Sequence, residues 1–277
     1  MPTQLVTIEG NIGTGKTTIA RRVASHMPDT QFFAAPDPEA NPHWEAFMQQ
    51  PKQHALAMQC WFLRERLRVY VAALRHMDAT GESVILDFSL FSDVIFALMH
   101  HAQGYMTDAQ LLEYHTLYNS IMALGLPPPH LSILLQANPK ICLERMESNP
   151  TREKQRRMSK DASMFFGEDY MSRVDALYQH RWLHDVERVY TPTWMRDKRV
   201  MPDEARLPCA PSTLILVRDW SDLSNVKPTW IADAVYCTEP CDHLQWLGAF
   251  THGGSNGEGE FAGRVRALLE FEIPAPA

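Results

Sequence analysis

The sequence predicts an α/β fold, doubly wound around a five-stranded parallel sheet. Three observations lead there. Gly10-Asn11-Ile12-Gly13-Thr14-Gly15-Lys16-Thr17 matches G-x-x-x-x-G-K-S/T, with a strand-like run, Leu5-Val6-Thr7-Ile8, before it and helical spacing from Thr17 to Val23 after it. Five short apolar runs alternate with helical segments, the order of right-handed βαβ units. With 277 residues, 45% of them hydrophobic, the chain suffices for one large domain with an appendage.

The glycine loop comes first because its chemistry is the most specific. Backbone N–H groups of such a loop, and the helix N-terminus behind it, face an anion. In that reading Gly10 to Thr18 cradle phosphates, Lys16 reaches the β/γ-phosphates and Thr17 offers a hydroxyl to Mg²⁺.

Gln31 to Ala35 then reads as a second buried strand, ending at Pro36-Asp37-Pro38. Ligands bind beyond the carboxyl edge of a parallel sheet, which turns Asp37 toward the phosphate site; turn chemistry between two prolines is the alternative. From His54 to about Asp78 the spacing is helical, with Leu56, Cys60, Leu63, Leu67, Tyr70, Val71 and Leu74 on one stripe. Gln59, Phe62 and Arg66 share another face. An amide, a ring and a guanidinium together suit a flat heterocycle, and a solvated face with one core Phe fits the spacing as well.

Gly81-Glu82 ends that helix, and Ser83-Val84-Ile85-Leu86-Asp87 is a third strand closing on a carboxylate. Downstream of a phosphate loop such an Asp is the usual second Mg²⁺ support, although capping alone also puts Asp at strand ends. Ser89 to His101 reads as a helix carrying Asp93 in its opening turns, and Thr107-Asp108 caps another running to about Leu124. Leu131 to Leu135 is a fourth strand, and Pro139 to Met146 opens a further helix. Arg152, Lys154, Arg156, Arg157 and Lys160 follow as the most basic stretch. Its place suits a lid that closes cations over a transferring phosphoryl group; a solvated loop is the plainer reading. Tyr170 to Val189 is helical, and Thr213 to Val217 is the fifth strand. Near the end, aromatic residues surround His252 to Gly259, which reads as a flexible loop.

The net charge of −7 and pI near 5.9 argue against a broad grip on nucleic acid and fit a small phosphorylated partner. Five scattered cysteines are too few for a disulfide scaffold. Cys237-x-x-x-Cys241-x-His243 has no second ligand pair at zinc-finger spacing, so buried thiols are expected there. The first strand starts almost at once, without charged leader, apolar signal core or membrane-length run, so a soluble cytoplasmic protein is expected.

With these residues in view, the chain resembles the deoxynucleoside kinases from its first strand to about Asp219. Ile8 to Thr18 is similar to the family's phosphate loop. Pro36-Asp37-Pro38 sits where the family has a Glu-Pro pair whose carboxylate accepts the 5′-hydroxyl proton. Met58-Gln59 matches the Gln that pairs with the base, and Trp44 resembles the aromatic lining the sugar and base pocket. Leu86 to Asp93 resembles the acidic-Arg-Ser segment after the third strand, and Tyr170 to Trp182 the helix after the lid. Arg66 and Asp93 fall where cytidine- and purine-phosphorylating members carry an Arg/Asp pair.

The resemblance implies ATP- and Mg²⁺-dependent phosphorylation of a deoxynucleoside 5′-hydroxyl, deoxycytidine or a deoxypurine favoured, by a homodimer. It implies a kinase-like domain over 1–222, a lid at about 150–163 and an extension over 223–277. Asp37 would act as base, Lys16 with Arg152, Arg156 and Arg157 would stabilise charge, and Thr17 with Asp87 would hold Mg²⁺. Trp44, Gln59, Phe62, Arg66 and Asp93 would bind the nucleoside. Phe88 departs from the pattern, standing where the family has an Arg that contacts the catalytic carboxylate, and Met48 stands where a Tyr would bind the sugar 3′-hydroxyl. Asp37 is shorter than Glu, and Phe62 is larger than its deoxycytidine-type counterpart. These departures keep open a nucleotide-binding scaffold or regulatory subunit, and a thymidine or nucleoside monophosphate kinase. The last needs a cationic cradle, for which Asp37 to Gln59 supplies only Lys52.

Overall fold

A computed structural model describes residues 3–150, 167–178, 214–219 and 257–270. Five parallel strands run in the order β2-β3-β1-β4-β5: β1 Leu5–Gly10, β2 Thr30–Phe33, β3 Ser83–Asp87, β4 Leu131–Gln136 and β5 Leu214–Asp219. Strand order reverses at β1, which lies between β3 and β4, so a crevice opens beyond the carboxyl ends of β1 and β3. Ile8 pairs with Asp87 there, which sets the phosphate loop beside the end of β3.

The inner strands β1, β3 and β4 are buried on both faces because both are covered. Val6, Ile8, Ile85, Leu131, Ile133 and Leu135 pack with Ile19, Ala20 and Val23 of α1, Lys16–His26. Leu5, Val84, Leu86 and Leu134 point the other way, into a larger core. Each such side chain, fully buried, contributes roughly 1.5–3 kcal/mol.

That larger core is organised by α3, Pro51–Thr80, which starts with Pro at its first position and ends on left-handed Gly81, φ 73°. It extends beyond the expected His54–Asp78 at both ends, and its expected apolar stripe is the buried one. A short helix that the spacing did not signal, α2 Trp44–Gln49, packs beside it. The expected Ser89–His101 helix is instead a 3₁₀ turn over Leu90–Ser92, capped by Ser89, followed by α4, Asp93–Ala102. Thr107 and Gln110 form a capping box on α5, Asp108–Met122. Asn138 caps α6, Pro139–Glu147, and α7 is Glu168–Leu177; the expected continuation to Val189 lies outside the described residues.

One expectation is corrected near the end of the chain. Residues 257–259, read as part of a flexible loop, form the start of a helix, α8, Gly257–Glu270. Its apolar face has a place to go: Val265 is buried in the core, and Arg264 donates to the Ala123 carbonyl at 3.1 Å. Cys237, Cys241 and His243 lie outside the described residues. Among the described residues no helix is long and apolar enough to cross a membrane.

Candidate active site

The phosphate loop holds its shape through two close approaches. A Cβ on Gly10, φ 137°, would meet the Leu135 carbonyl at 2.5 Å, and one on Gly13, φ 79°, would meet the Cys142 carbonyl at 2.5 Å. Asn11 donates its amide to the Met171 carbonyl of α7 at 2.7 Å and accepts the Ile12 N–H at 2.8 Å. The Thr14 hydroxyl bonds the Asn11 carbonyl at 2.8 Å, and Arg145 of α6 donates to the Thr14 carbonyl at 3.2 Å. Gly10, Asn11 and Thr14 thus shape the loop from behind, whereas Ile12, Gly13, Gly15, Lys16, Thr17 and Thr18 line the cleft. The Lys16 ammonium donates to the Gly10 and Asn11 carbonyls at 3.0 and 2.7 Å.

Beside Lys16, the Thr17 hydroxyl donates to Asp87 Oδ2 at 2.5 Å. Asp87 Oδ1 is buried and has no hydrogen-bond partner, an arrangement that leaves a hard anionic oxygen for a cation. A hydroxyl and a carboxylate fit Mg²⁺, which is commonly held by one or two carboxylates plus substrate phosphates. Among the described residues no group of three His, Cys, Asp or Glu could hold a metal by itself.

Next to Asp87, the backbone of Phe88 is left-handed, φ 73°. Flanking bonds pin it: Phe88 N–H donates to the Ile8 carbonyl at 3.0 Å and Ser89 N–H to Glu9 at 3.2 Å. Glu9 is fully buried under the loop, also accepts the Ser92 hydroxyl, and burial raises its pKa.

The cleft encloses about 880 Å³ and runs from the loop to α3. Asp37, Trp44, Gln59, Phe62, Arg66, Asp87 and Phe88 line it together with Lys16. Asp37 is exposed at the cleft and caps the turn after it, accepting the Glu39 N–H at 3.0 Å, the turn chemistry that two flanking prolines suggest. Trp44 and Phe62 meet edge to face, ring centres 6.1 Å apart. Arg66 pairs with Asp93, and burial pushes its pKa down to about 10. Asp93, fully buried, stands behind the cleft wall and accepts from Gln59 at 2.8 Å and from the Tyr114 hydroxyl at 2.6 Å.

Met48 does not belong to this lining; it is fully buried in the core, because α2 turns that face inward. Arg152, Arg156, Arg157 and Lys160 lie outside the described residues. The cleft contains residues that sequence reasoning missed: Arg21, Phe96, His100 and Arg145. No local motif marks them, since their place follows from how α1, α4 and α6 pack around the loop. His100 is buried edge-on to Phe47 at 5.1 Å, and burial holds its pKa down at about 3.

A deoxynucleoside kinase family model matches residues 6–205. The chain belongs to the deoxynucleoside kinase family. Among relatives of this family member, a deoxyguanosine kinase of Dictyostelium discoideum is 27% identical over 177 residues, 64% of this chain and 58% of the relative. A mitochondrial NADH dehydrogenase [ubiquinone] 1 alpha subcomplex subunit 10 of Mus musculus is 28% identical over 214 residues, 69% of this chain and 53% of that protein. The chain therefore spans less than two thirds of the length of either relative. The structure of a deoxyadenosine kinase from M. mycoides with bound dATP superposes with a TM-score of 0.59 at 18% identity, covering 84% of this chain and 99% of that one. That likeness concerns the fold: a parallel α/β sheet carrying a phosphate loop.

Proposed function

We propose that this chain transfers the γ-phosphoryl group of ATP to the 5′-hydroxyl of a deoxynucleoside, with deoxycytidine or a deoxypurine favoured over thymidine. One observation carries the reading: Lys16 of the glycine loop, Asp37 after β2, and Gln59 with Arg66 on α3 line a single cleft. Lys16 and the loop N–H groups hold the donor phosphates, and Asp37 takes the 5′-hydroxyl proton. Gln59 and Arg66 read the base, while Trp44 and Phe62 flank it. Thr17 and Asp87 hold Mg²⁺, which when bound neutralises charge on the phosphate oxygens. Arg152, Arg156 and Arg157 supply further positive charge, and the active form is a homodimer.

The test is labelled ATP with a panel of four deoxynucleosides. The expected product is a deoxynucleoside monophosphate, formed at least about a thousandfold more slowly by Lys16→Ala, since catalysis here is positioning and electrostatics. An unchanged rate in that variant rejects the assignment.

A second reading has its own support. Phe88 removes a charge from the transfer site, and the relatives include an NADH dehydrogenase subunit. Under it the chain is a nucleotide-binding scaffold of kinase ancestry, which binds ATP or nucleoside in the same assay without forming product.

A further inference from the structure

We propose that Tyr114 is a positioning residue for base discrimination, acting through Asp93 on the orientation of the Gln59 carboxamide. The inference rests on the nucleoside-kinase reading above and goes further, naming what decides between two classes of base. Asp93 Oδ2 accepts both the Tyr114 hydroxyl, at 2.6 Å, and the Gln59 Nε2, at 2.8 Å, while its other oxygen meets Arg66. All three partners approach a carboxylate that is fully buried. An ionised carboxylate only accepts hydrogen bonds, so the group Gln59 turns toward it must be its NH₂. The same Nε2 also lies 3.4 Å from the Asp93 main-chain carbonyl, so two acceptors turn the amide nitrogen to Asp93 and Oε1 is the atom left for the cleft, in one fixed orientation.

That orientation has chemical content. Cytosine and adenine offer an amino donor beside a ring-nitrogen acceptor; thymine and guanine offer a carbonyl acceptor beside a ring N–H. One carboxamide reads the first pair in one sense and the second pair only after inversion. Tyr114 itself is fully buried, and burial raises its hydroxyl well above the usual tyrosine range, so it stays a donor. Its ring stacks with that of Tyr118, which bonds the Phe91 carbonyl at 3.0 Å. The α5 helix thereby clamps the start of α4, where Asp93 sits.

Competition between deoxycytidine and thymidine, and between deoxyadenosine and deoxyguanosine, tests the assignment in the full-length enzyme. The wild type is expected to separate the amino from the keto member of a pair by about tenfold or more in kcat/KM. Tyr114→Phe is expected to compress that ratio at least about fivefold, with kcat for the better substrate changing less than the ratio. Asp93→Asn, whose side chain can face Gln59 with either oxygen or nitrogen, is expected to bring the ratio near unity. The double variant should match Asp93→Asn alone, because both changes act along one path. An undiminished ratio in Tyr114→Phe, or additive effects in the double variant, overturns the assignment while leaving the kinase reading intact. A wild type that phosphorylates no nucleoside rejects that reading, and this inference with it.

Discussion

The Arg66 guanidinium carbon lies 4.3 Å from the centre of the Phe88 ring, and the Lys16 ammonium lies 5.7 Å from the same ring. One aromatic ring is therefore shared by two cations of the cleft, one from α3 and one from the glycine loop. Phe88→Leu keeps apolar bulk and the same backbone demand but removes the π face. A partly desolvated cation–π contact is worth about 1–2 kcal/mol, so nucleoside KM should rise about tenfold. Steady-state kinetics should show the KM for ATP changing by less than about threefold; an equal change in both would mean the ring serves the phosphate end instead.

Asp87 and Thr17 give a metal-dependent prediction. Asp87→Asn keeps the shape but removes the anion, and Thr17→Ala removes the hydroxyl. Either variant should need at least about tenfold more Mg²⁺ for half-maximal turnover. Titration of rate against free Mg²⁺ at fixed ATP reads this directly, and a curve coinciding with the wild type's would reject the two residues as the cation's support.

His100 yields a pH dependence. Its folded pKa, about 3, lies below the ordinary value of 6.5, so below pH 6.5 the unfolded chain takes up a proton that the folded one refuses. Stability is therefore lost as pH falls, by about 2 kcal/mol between pH 7 and pH 5 from this group. Glu9, raised by burial, acts in the opposite direction, but equally in any His100 variant. Urea unfolding should show His100→Gln losing about 2 kcal/mol less than the wild type over that range. Parallel losses would mean the ring is protonated in the native state.

Gly13→Ala tests the loop's packing. The added carbon would sit 2.5 Å from a backbone oxygen at a left-handed position, and neither α6 nor the loop can yield cheaply. A loss of about 3 kcal/mol in chemical denaturation is expected, from strain and overpacking together. A loss below about 1 kcal/mol would show that α6 moves freely against the loop.

The fold was legible where local chemistry and tertiary position coincide. The strand, glycine loop and helix from Leu5 to His26 stand as expected, because the loop's backbone demands its own residue types. The stripe of α3 was readable because thirty residues repeat one period. Helix α2 was not: at six residues it is too short for a period to show. Helix α8 opens with two glycines among acidic residues, which argue locally for a loop, and packing of Val265 overrides them. At the site, Gln59 and Arg66 were readable from one helix face. Arg21, His100 and Arg145 were not, since each comes from a different helix and only the sheet's crossover brings them together. Met48 shows the converse, a position matched by likeness alone whose side chain faces the core.

Two hydrogen bonds tie neighbouring helices to the phosphate loop: Arg145 to Thr14 before the basic segment, and Asn11 to Met171 after it. The chain leaves the loop from one anchor and comes back to it at another. Thr14 is held through its carbonyl and Asn11 through its side chain, so a shift of either helix is passed directly to the backbone whose N–H groups line the cleft.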